Sequence, residues 1–541
     1  MKSLFNFRSL LCLFTISLVH LEAATYYVDN QANNERANGL TEKTAFKDFT
    51  QVNRLNLLAG DKVLLKRGGH YHGAIKLQSL EGTEIAPIEL ASYGDENLAR
   101  PKIDGQGYFA VINLDGCAYV NVSGLELTND GGKARDKRAK HERYGVALTA
   151  IAGDSHNINL RDLKIHHIFA SESRASEGYN PTSNFGMGVI LENKKSQHSI
   201  NRITLEDSDI RMVGFYGIRI KGSMEQKVSM VNILNNKTVD TGCSGVQMSY
   251  ASHIRVKGND FAYSGSNKDP RMHARGSGSW CWGSENITYE ENKFSHARGK
   301  GDSAGIHIDF NCKNIIVQRN LSIDNEGGFI EILGNNWNCT YRYNISINDG
   351  ARIKGENRAF QEGKILWFSS FCGKDGGRKG PYNNYIYNNT IFVKKGILNK
   401  FSVAPTTEGV LIANNIFHLM DESKNVSGDQ FWNKKLRAQV NKPSKNIVFG
   451  NNIYNKETSL PADFEIQDKA KIIGDVEFKN AGSLDAHDYI PINSDLVIDK
   501  GIEIQRLAND PIGIIGGLKM KSDFFGNPIK GRPDMGAIEI Q

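Results

Sequence analysis

Seven segments of this chain begin with glycine and continue with alternating apolar residues, and the positions between the apolar ones carry acids, bases and aromatic rings. If the first and third side chains after each glycine point inward, the second and fourth share one outer face. Such a face can combine proton transfer with stacking on a flat ring. The segments begin at Gly188, Gly217, Gly245, Gly278, Gly305, Gly327 and Gly350; the predicted catalytic residues are Arg219, Lys221, His307, Asp309, Glu331 and Arg352, and the predicted substrate-binding residues are Gln247, Trp280, Trp282 and Lys354.

The cations on this face suit elimination from a uronic acid. Abstraction of the C5 proton places negative charge on the sugar carboxylate, which then needs fixed cations, a base and an acid around it. Arg219, Lys221 and Arg352 would hold the carboxylate, and His307 would transfer the proton because imidazole titrates near neutrality. Asp309 and Glu331 would orient these groups. The main prediction is therefore a carbon-oxygen lyase or dehydratase that leaves an unsaturated uronate.

Two alternatives stay open. Asp309 and Glu331 occupy equivalent predicted positions on adjacent coils, about 4.8 Å apart, close to the carboxyl separation of about 5 Å in retaining glycosidases. Asp302 offers a further carboxyl group. A glycoside hydrolase using Asp309 and Glu331 is thus the second hypothesis. A non-catalytic glycan-binding protein is the third, since isolated surface histidines and ion pairs are usually of little consequence.

The element that must position these residues is a short strand followed by a turn. Alternating apolar runs ending at Asn or a related turn residue begin at Ile158, Ile203, Ile254, Ile287 and Ile447, among others. Period-two alternation indicates a strand, and recurrence at irregular intervals of roughly 22 to 45 residues is typical of a solenoid with inserted loops. We expect an all-β protein, a single parallel β-helix, in which repeated asparagines such as Asn320 stack as turn amides.

The ends of the chain have their own patterns. Lys2, Arg8 and the apolar run 10–19 form a predicted signal peptide over residues 1–23, which indicates export to the periplasm or the medium. Residues 24–541 would form one domain, with opening coils at about 24–115, central coils at about 116–400, and closing coils with a terminal strand at about 401–541. The six cysteines beyond Cys12 follow the coil spacing, which favours buried free thiols.

Together with the asparagine turns, the opening segments 26–30 and 60–77 and the closing segment 525–539 resemble the pectate-lyase-like group of secreted right-handed β-helix proteins. Within that group, the segments 301–310 and 324–332 resemble a subgroup found in polysaccharide-degrading bacteria. The resemblance implies a right-handed solenoid and a carbohydrate-active enzyme of polysaccharide-degrading bacteria. It does not select the reaction, because this group includes polysaccharide lyases, dehydratases and glycoside hydrolases.

Charge suggests the partner. The net charge is +6, and basic runs occur at 133–143, 298–300 and 374–379. Summed fields of this kind favour a polyanion, so we expect an acidic, uronate-containing and sulfated glycan such as an ulvan-like polysaccharide, or its oligosaccharides, rather than nucleic acid. No later segment is apolar enough to span a membrane, and a monomer is expected. No cofactor is expected, with calcium at Asp302, Asp309 and Glu331 as the alternative.

Overall fold

A computed structural model describes residues 23–33, 36–170, 185–193, 197–427, 444–464 and 466–540. Residues 1–22 of the predicted signal peptide lie outside this range. The described chain is nearly all β-structure and winds as a right-handed parallel β-helix, which confirms the predicted fold class. Most coils contribute one strand to each of three long parallel sheets.

Sheet I has 14 strands and continues through most of the solenoid. Its strands alternate between core-facing aliphatic residues and outward polar residues, as in Ile254 and Val256 beside Arg255. The strands are β1 (Thr25–Val28), β2 (Lys62–Lys66), β5 (Ile88–Tyr93), β8 (Ala118–Ser123), β11 (Ser155–Arg161), β14 (Ile200–Glu206), β17 (Val228–Leu234), β20 (Ala251–Lys257), β23 (Glu285–Glu290), β26 (Lys313–Gln318), β29 (Thr340–Arg342), β32 (Tyr382–Tyr387), β35 (Glu408–Ala413) and β38 (Lys445–Gly450).

Sheet II also has 14 strands, and most of them follow a strand of sheet I across a sharp corner of the chain. The strands are β3 (His70–His72), β6 (Lys102–Asp104), β9 (Glu126–Asp130), β12 (Lys164–Phe169), β15 (Asp209–Val213), β18 (Lys237–Thr241), β21 (Asp260–Ser264), β24 (Lys293–Ser295), β27 (Leu321–Ile323), β30 (Ile345–Ile347), β33 (Thr390–Val393), β36 (Ile416–Leu419), β39 (Ile453–Tyr454) and β40 (Ile472–Ile473).

Sheet III has 12 strands and contains most of the residues that the sequence marks for chemistry. Inward residues such as Ile218, Ile220, Ile306 and Ile308 join the continuous core, which matches the predicted inside–outside phase of these strands. The strands are β4 (Ile75–Gln78), β7 (Ala110–Asp115), β10 (Glu142–Thr149), β13 (Phe185–Glu192), β16 (Ile218–Lys221), β19 (Val246–Ser249), β22 (Ser279–Trp282), β25 (Ile306–Ile308), β28 (Gly328–Ile332), β31 (Lys364–Phe368), β34 (Asn399–Val403) and β37 (Ser423–Asn425).

A buried asparagine ladder stabilises the corner between sheets I and II. The side-chain amide of Asn292 donates to Asn320 Oδ1 at 2.9 Å, and Asn320 donates to Asn344 Oδ1 at 3.1 Å. Each amide also caps backbone groups that the corner would leave unpaired. The residue before the asparagine adopts a left-handed conformation, as at Asn235, and this lets the chain turn sharply. The ladder comprises Asn236, Asn259, Asn292, Asn320, Asn344, Asn389, Asn415 and Asn452.

Helical structure is minor in the described chain. Asp48 caps the α-helix Phe49–Val52 in the opening coils. Short 3₁₀ helices lie at Glu42–Thr44, Glu356–Arg358, Glu457–Ser459, Ala486–Tyr489 and Ser494–Leu496.

The terminal strand predicted near the end of the chain is not formed within the described part; residues 500–540 are irregular. Residues 507–520 lie against the outside of sheet I instead, where Asn338 donates to Asp510 Oδ1 at 3.1 Å and Tyr387 donates to the carbonyl of Leu518 at 2.7 Å. Residues 535–538 pack against sheet II, next to Ile345 and Ile416. Outward tyrosine and asparagine side chains therefore hold an irregular segment against the solenoid, at the end of the chain where another strand was predicted. The six described cysteines are free and buried.

Candidate active site

One row of outward side chains crosses sheet III along the solenoid axis. The parallel register pairs Arg219 with Gln247, Gln247 with Trp280, and Trp280 with His307. Ile308 pairs with Ile332, which places Glu331 next to His307, and Glu331 pairs with Trp367. The sequence therefore placed four of these residues, Arg219, Gln247, Trp280 and His307, in the correct row, but it placed Glu331 in a different row and missed Trp367.

The predicted pairing of Asp309 with Glu331 on neighbouring strands is wrong. The glycine column shifts by two residues at Gly327, since Gly328 pairs with Ala304 and not with Ile306, as the column predicts. Asp309 therefore lies in a second outward row, and Phe329, which the column placed outside, is 1% exposed in the core. The shift arises because strand register follows hydrogen bonding and packing, not the position of a glycine.

The placement of Arg352 and Lys354 on a stacked strand is also wrong. The next strand of sheet III is β31, which follows Gly363, and residues 350–363 form an insertion between β30 and β31. Arg352 is buried there and donates from Nη1 to the carbonyl of Asp302 at 2.7 Å. Lys354 is exposed. Gly363, four residues before Trp367, was the sequence signal that could have located the true strand.

A pocket of about 230 Å³ opens on the outer face of β22, β25, β28 and β31. Three carboxyl groups enter it, together with one arginine, one histidine and two tryptophans. Its lining residues are Arg275, Trp280, Asp302, His307, Asp309, Glu331, Leu333, Gln361, Trp367, Ser369 and Phe371.

Asp302 is the carboxyl group that the pocket keeps ionised. Burial opposes its charge, but Arg275 lies 2.9 Å away and, with His307 and Arg352, lowers the pKa of Asp302 below its ordinary value. The backbone is fixed as well, because the N–H of Asp302 donates to Gln361 Oε1 at 3.2 Å. Arg275 and Gln361 were not identified from the sequence; each lies in a loop whose position only the coil stacking determines.

Asp309 and Glu331 differ from Asp302, because their surroundings favour the protonated form of the carboxyl group. Burial raises the pKa of Asp309 to about 7, although its Oδ1 accepts the Phe310 N–H at 2.9 Å. Burial also raises the pKa of Glu331, while Lys364 opposes that effect. Lys364 is 2% exposed, donates to the carbonyl of Glu362 at 2.8 Å and lies 3.8 Å from the centre of the Trp367 ring. Both acids are therefore protonated more readily than ordinary carboxyl groups.

His307 forms part of the pocket floor. Its ring stacks on Trp280 with 5.5 Å between ring centres, and its Nδ1 lies 2.9 Å from Ser277 Oγ. Burial lowers the pKa of His307 to about 4, with Asp302 opposing and Arg275 reinforcing the effect. With a pKa this far below neutrality, His307 is a weaker base than an ordinary histidine and is rarely in the protonated, acidic form, so it is poorly matched to the predicted proton transfer.

The remaining predicted residues lie outside this pocket. Lys221 pairs with Glu192 at 3.0 Å, and Arg219 lies over the Tyr216 ring at 5.3 Å. Trp282 packs against Tyr250 and Phe310. Gln247 is 1% exposed. The predicted carboxylate clamp of Arg219, Lys221 and Arg352 is thus not assembled around one pocket.

The described residues contain no cluster of three or more His, Cys, Asp or Glu side chains arranged to hold a metal ion. They also contain no helix with the length and apolar character needed to cross a membrane.

Comparison with known proteins bears on the reaction. No protein-family model matches this chain. A lacto-N-biosidase of Bifidobacterium longum subsp. longum is 24% identical over an alignment of 627 residues, which covers 95% of this chain and 36% of the relative. The chain thus spans about a third of that relative's length. The similarity favours a glycoside hydrolase.

Solved structures agree with the fold. Native GH136 lacto-N-biosidase from Eubacterium ramulus superposes with a TM-score of 0.53 and 21% identity, covering 73% of this chain and 68% of that one. Its selenomethionine derivative gives a TM-score of 0.54 at 20% identity, covering 74% and 67%. At this identity, these likenesses show a common β-helix fold.

The sequence relationship overturns the main functional prediction. A lyase or dehydratase of uronate-containing glycans was expected from the cations of sheet III, whereas the relative that aligns along nearly the whole chain is a glycoside hydrolase. The physical reason for the error is visible in the site: Lys221 is neutralised by Glu192, and Arg352 bonds backbone carbonyls rather than facing the pocket. The hydrolase alternative is the better supported one.

Proposed function

We propose that this protein is a glycoside hydrolase that releases a lacto-N-biose unit from an oligosaccharide, with Asp302 and Asp309 as its catalytic carboxyl groups. The substrate is suggested by the name of the 24% identical relative. The chemistry is suggested by the pocket.

The observation that carries the proposal is that the surroundings shift the pKa values of two carboxyl groups in one pocket in opposite directions. Glycosidases need one carboxylic acid to protonate the departing oxygen and one carboxylate to attack the anomeric carbon or to activate water. Environments that separate the pKa values of two acids assign these roles. Asp302 is kept ionised by Arg275, and Asp309 has a pKa of about 7.

The pair Asp309 and Glu331, which the sequence suggested, is less suitable. Burial raises the pKa of both groups, so the pair would provide two acids and no nucleophile or base. Asp302 provides the missing negative charge. Glu331 lies between His307 and Trp367 in the outward row and is placed to hydrogen-bond the sugar from the pocket floor.

In this mechanism, Asp309 gives its proton to the glycosidic oxygen as the bond from that oxygen to the anomeric carbon breaks. Asp302 either deprotonates a water molecule that attacks the opposite side of that carbon, or attacks the carbon itself and forms an ester with the sugar. In the second case, the ionised Asp309 then deprotonates a water molecule that cleaves this ester, which releases the disaccharide and returns the proton to Asp309. Arg275 holds the Asp302 carboxylate at 2.9 Å and keeps it ionised. Four residues of the outward row line the pocket, and Trp280 and Trp367 are the first and the last of them. The two rings are roughly 14 Å apart over three strand spacings and bracket a short sugar unit rather than a long chain.

The test is hydrolysis of the p-nitrophenyl glycoside of lacto-N-biose, followed by product analysis of natural oligosaccharides. We expect release of p-nitrophenol and of the free disaccharide, without the ultraviolet absorbance of an unsaturated uronate. Asp302→Asn and Asp309→Asn should each lose activity by about 10²-fold or more. Asp240→Asn is the matched control, because Asp240 is also an ion-paired carboxylate, with Lys268 at 2.8 Å, but lies outside the pocket.

Two other results of these experiments would change the proposal. Binding of the disaccharide without turnover would favour the non-catalytic hypothesis. Turnover that survives in Asp302→Asn but disappears in Glu331→Gln would reject the assigned pair while keeping the hydrolase.

A further inference from the structure

We propose that His307 is a fixed neutral hydrogen-bond donor to one oxygen of the bound sugar, and that Ser277 selects the tautomer that makes it a donor. The inference rests on the proposed function in taking the occupant of the pocket to be a glycan. It assigns His307 to substrate selection rather than to proton transfer.

The tautomer follows from the hydrogen bonds of Ser277. Its hydroxyl oxygen accepts the backbone N–H of Ala304 at 3.1 Å, and His307 Nδ1 lies 2.9 Å from the same oxygen. No other acceptor for the Ser277 proton is found among the described residues, and Ser277 is fully buried. The hydroxyl therefore donates to Nδ1, because a buried donor without a partner is costly. The single proton of the neutral imidazole then resides on Nε2.

The ring cannot turn away from this arrangement. Trp280 stacks on the imidazole with ring planes 16° apart, and Glu331 occupies the next position of the row. Ile306 and Ile308, the flanking residues of β25, are both in the core. Among the described residues, Nε2 has no protein partner, while His307 lines the pocket. The Nε2–H group is thus left for a ligand.

Burial keeps this donor neutral. The charged groups around it are Arg275, Asp302 and Glu331, and burial lowers the pKa of His307 to about 4 in spite of Asp302. A neutral donor suits a hydroxyl or carbonyl oxygen of an uncharged sugar. A site built around such a donor discriminates strongly against an analogue that lacks the oxygen, because the donor is then buried without a partner.

The first experiment reads the tautomer directly and needs no ligand. Histidine ¹⁵N spectra distinguish a protonated from an unprotonated ring nitrogen, and His307→Phe identifies the signal by its disappearance. We expect the His307 signal to show protonated Nε2 and unprotonated Nδ1 from pH 5 to 8, and Ser277→Ala to lose this pattern. A protonated Nδ1 in the wild-type protein would overturn the inference.

The second experiment measures selection of the sugar oxygen by calorimetry with lacto-N-biose and its monodeoxy analogues. We expect the wild-type protein to bind one analogue about tenfold or more weakly, and His307→Phe, which keeps a flat ring against Trp280, to bind parent and analogue alike. His307→Gln restores an amide donor and should recover part of the discrimination. Unfolding temperatures check that the variants are folded.

The outcomes separate the two proposals. If wild-type protein binds and hydrolyses the sugar but His307→Phe discriminates as well as wild type, His307 is not the donor and the hydrolase stands. If the wild-type protein neither binds nor hydrolyses any lacto-N-biose compound, the proposed function and this role of His307 both fail. A shift of the pH–activity profile in His307→Phe near pH 6 or 7 would also contradict a neutral donor.

Discussion

Replacing Asp309 with asparagine should make the protein more stable at alkaline pH while abolishing its activity. The native environment favours the protonated acid, and burial raises its pKa from an ordinary value of 3.8 to about 7. Above pH 7, folding must therefore retain an ionised carboxylate where it is disfavoured. Asparagine has the same shape, can still accept the Phe310 N–H and carries no charge, so it removes this cost.

The magnitude follows from proton linkage. A pKa raised on folding means that the folded state binds more protons, so stability falls as pH rises from about 4 to about 7. At about 1.4 kcal/mol per pH unit, the full cost above pH 7 would be about 4 kcal/mol. Because Asp309 remains partly open to the pocket, we expect about 2 to 3 kcal/mol. At pH 5 the benefit of the substitution should be smaller by about half or more.

The assay is the unfolding temperature of wild-type protein and Asp309→Asn, measured from pH 5 to pH 9 at constant ionic strength. Asp240→Asn controls for loss of a buried charge that is ion-paired. In parallel, the wild-type pH–activity profile should decline as pH rises through about 7, when Asp309 loses the proton it must donate. A stability difference between wild type and Asp309→Asn that does not change with pH would show that Asp309 does not titrate in this range, and the proton-donor assignment would fail.

Three further predictions concern the other parts of the site and the core. Asp302→Asn should remove activity and also destabilise the protein by about 1 to 3 kcal/mol, because Arg275 loses its carboxylate; a variant as stable as wild type in thermal unfolding would contradict the importance of this pair. Ile306→Ala should lower the free energy of unfolding by about 2 to 5 kcal/mol by opening a cavity in the coil, since Ile306 is 1% exposed. An unchanged unfolding temperature would mean that Ile306 points outward and His307 points into the core. Activity should survive EDTA, and loss with EDTA followed by rescue with calcium would show that a metal is required.

The repeating part of this structure could be predicted from the sequence. Alternation of apolar and polar residues identifies strands, and the periodic asparagines identify corners, because both patterns reflect local requirements of burial and backbone hydrogen bonding. These requirements placed Ile306 and Ile308 in the core and Trp280 and His307 side by side outside it. Stacked amides at Asn320 and Asn344 were predicted on the same basis and are present.

The assignment of the reaction could not be made from these patterns. Cations on one face suggested elimination, but the sequence does not show that Lys221 is paired with Glu192. The choice between lyase and hydrolase came instead from the relationship to a lacto-N-biosidase. A β-helix supports many reactions, since the fold fixes where residues lie and not what they bind.

By itself, the sequence determined the coil architecture, the core and the outward row up to His307, because each depends on contacts that repeat from one coil to the next. Only the tertiary structure decided which residues meet in the pocket. The two-residue shift at Gly327 and the insertion 350–363 moved Glu331 beside His307 and brought Trp367 into the row. The charge of Asp302 depends on Arg275, 27 positions earlier in the chain and 2.9 Å away in space. The register of the strands and the protonation of a carboxyl group both depend on which residues are neighbours in three dimensions. The spacing of residues along the chain does not show these neighbours.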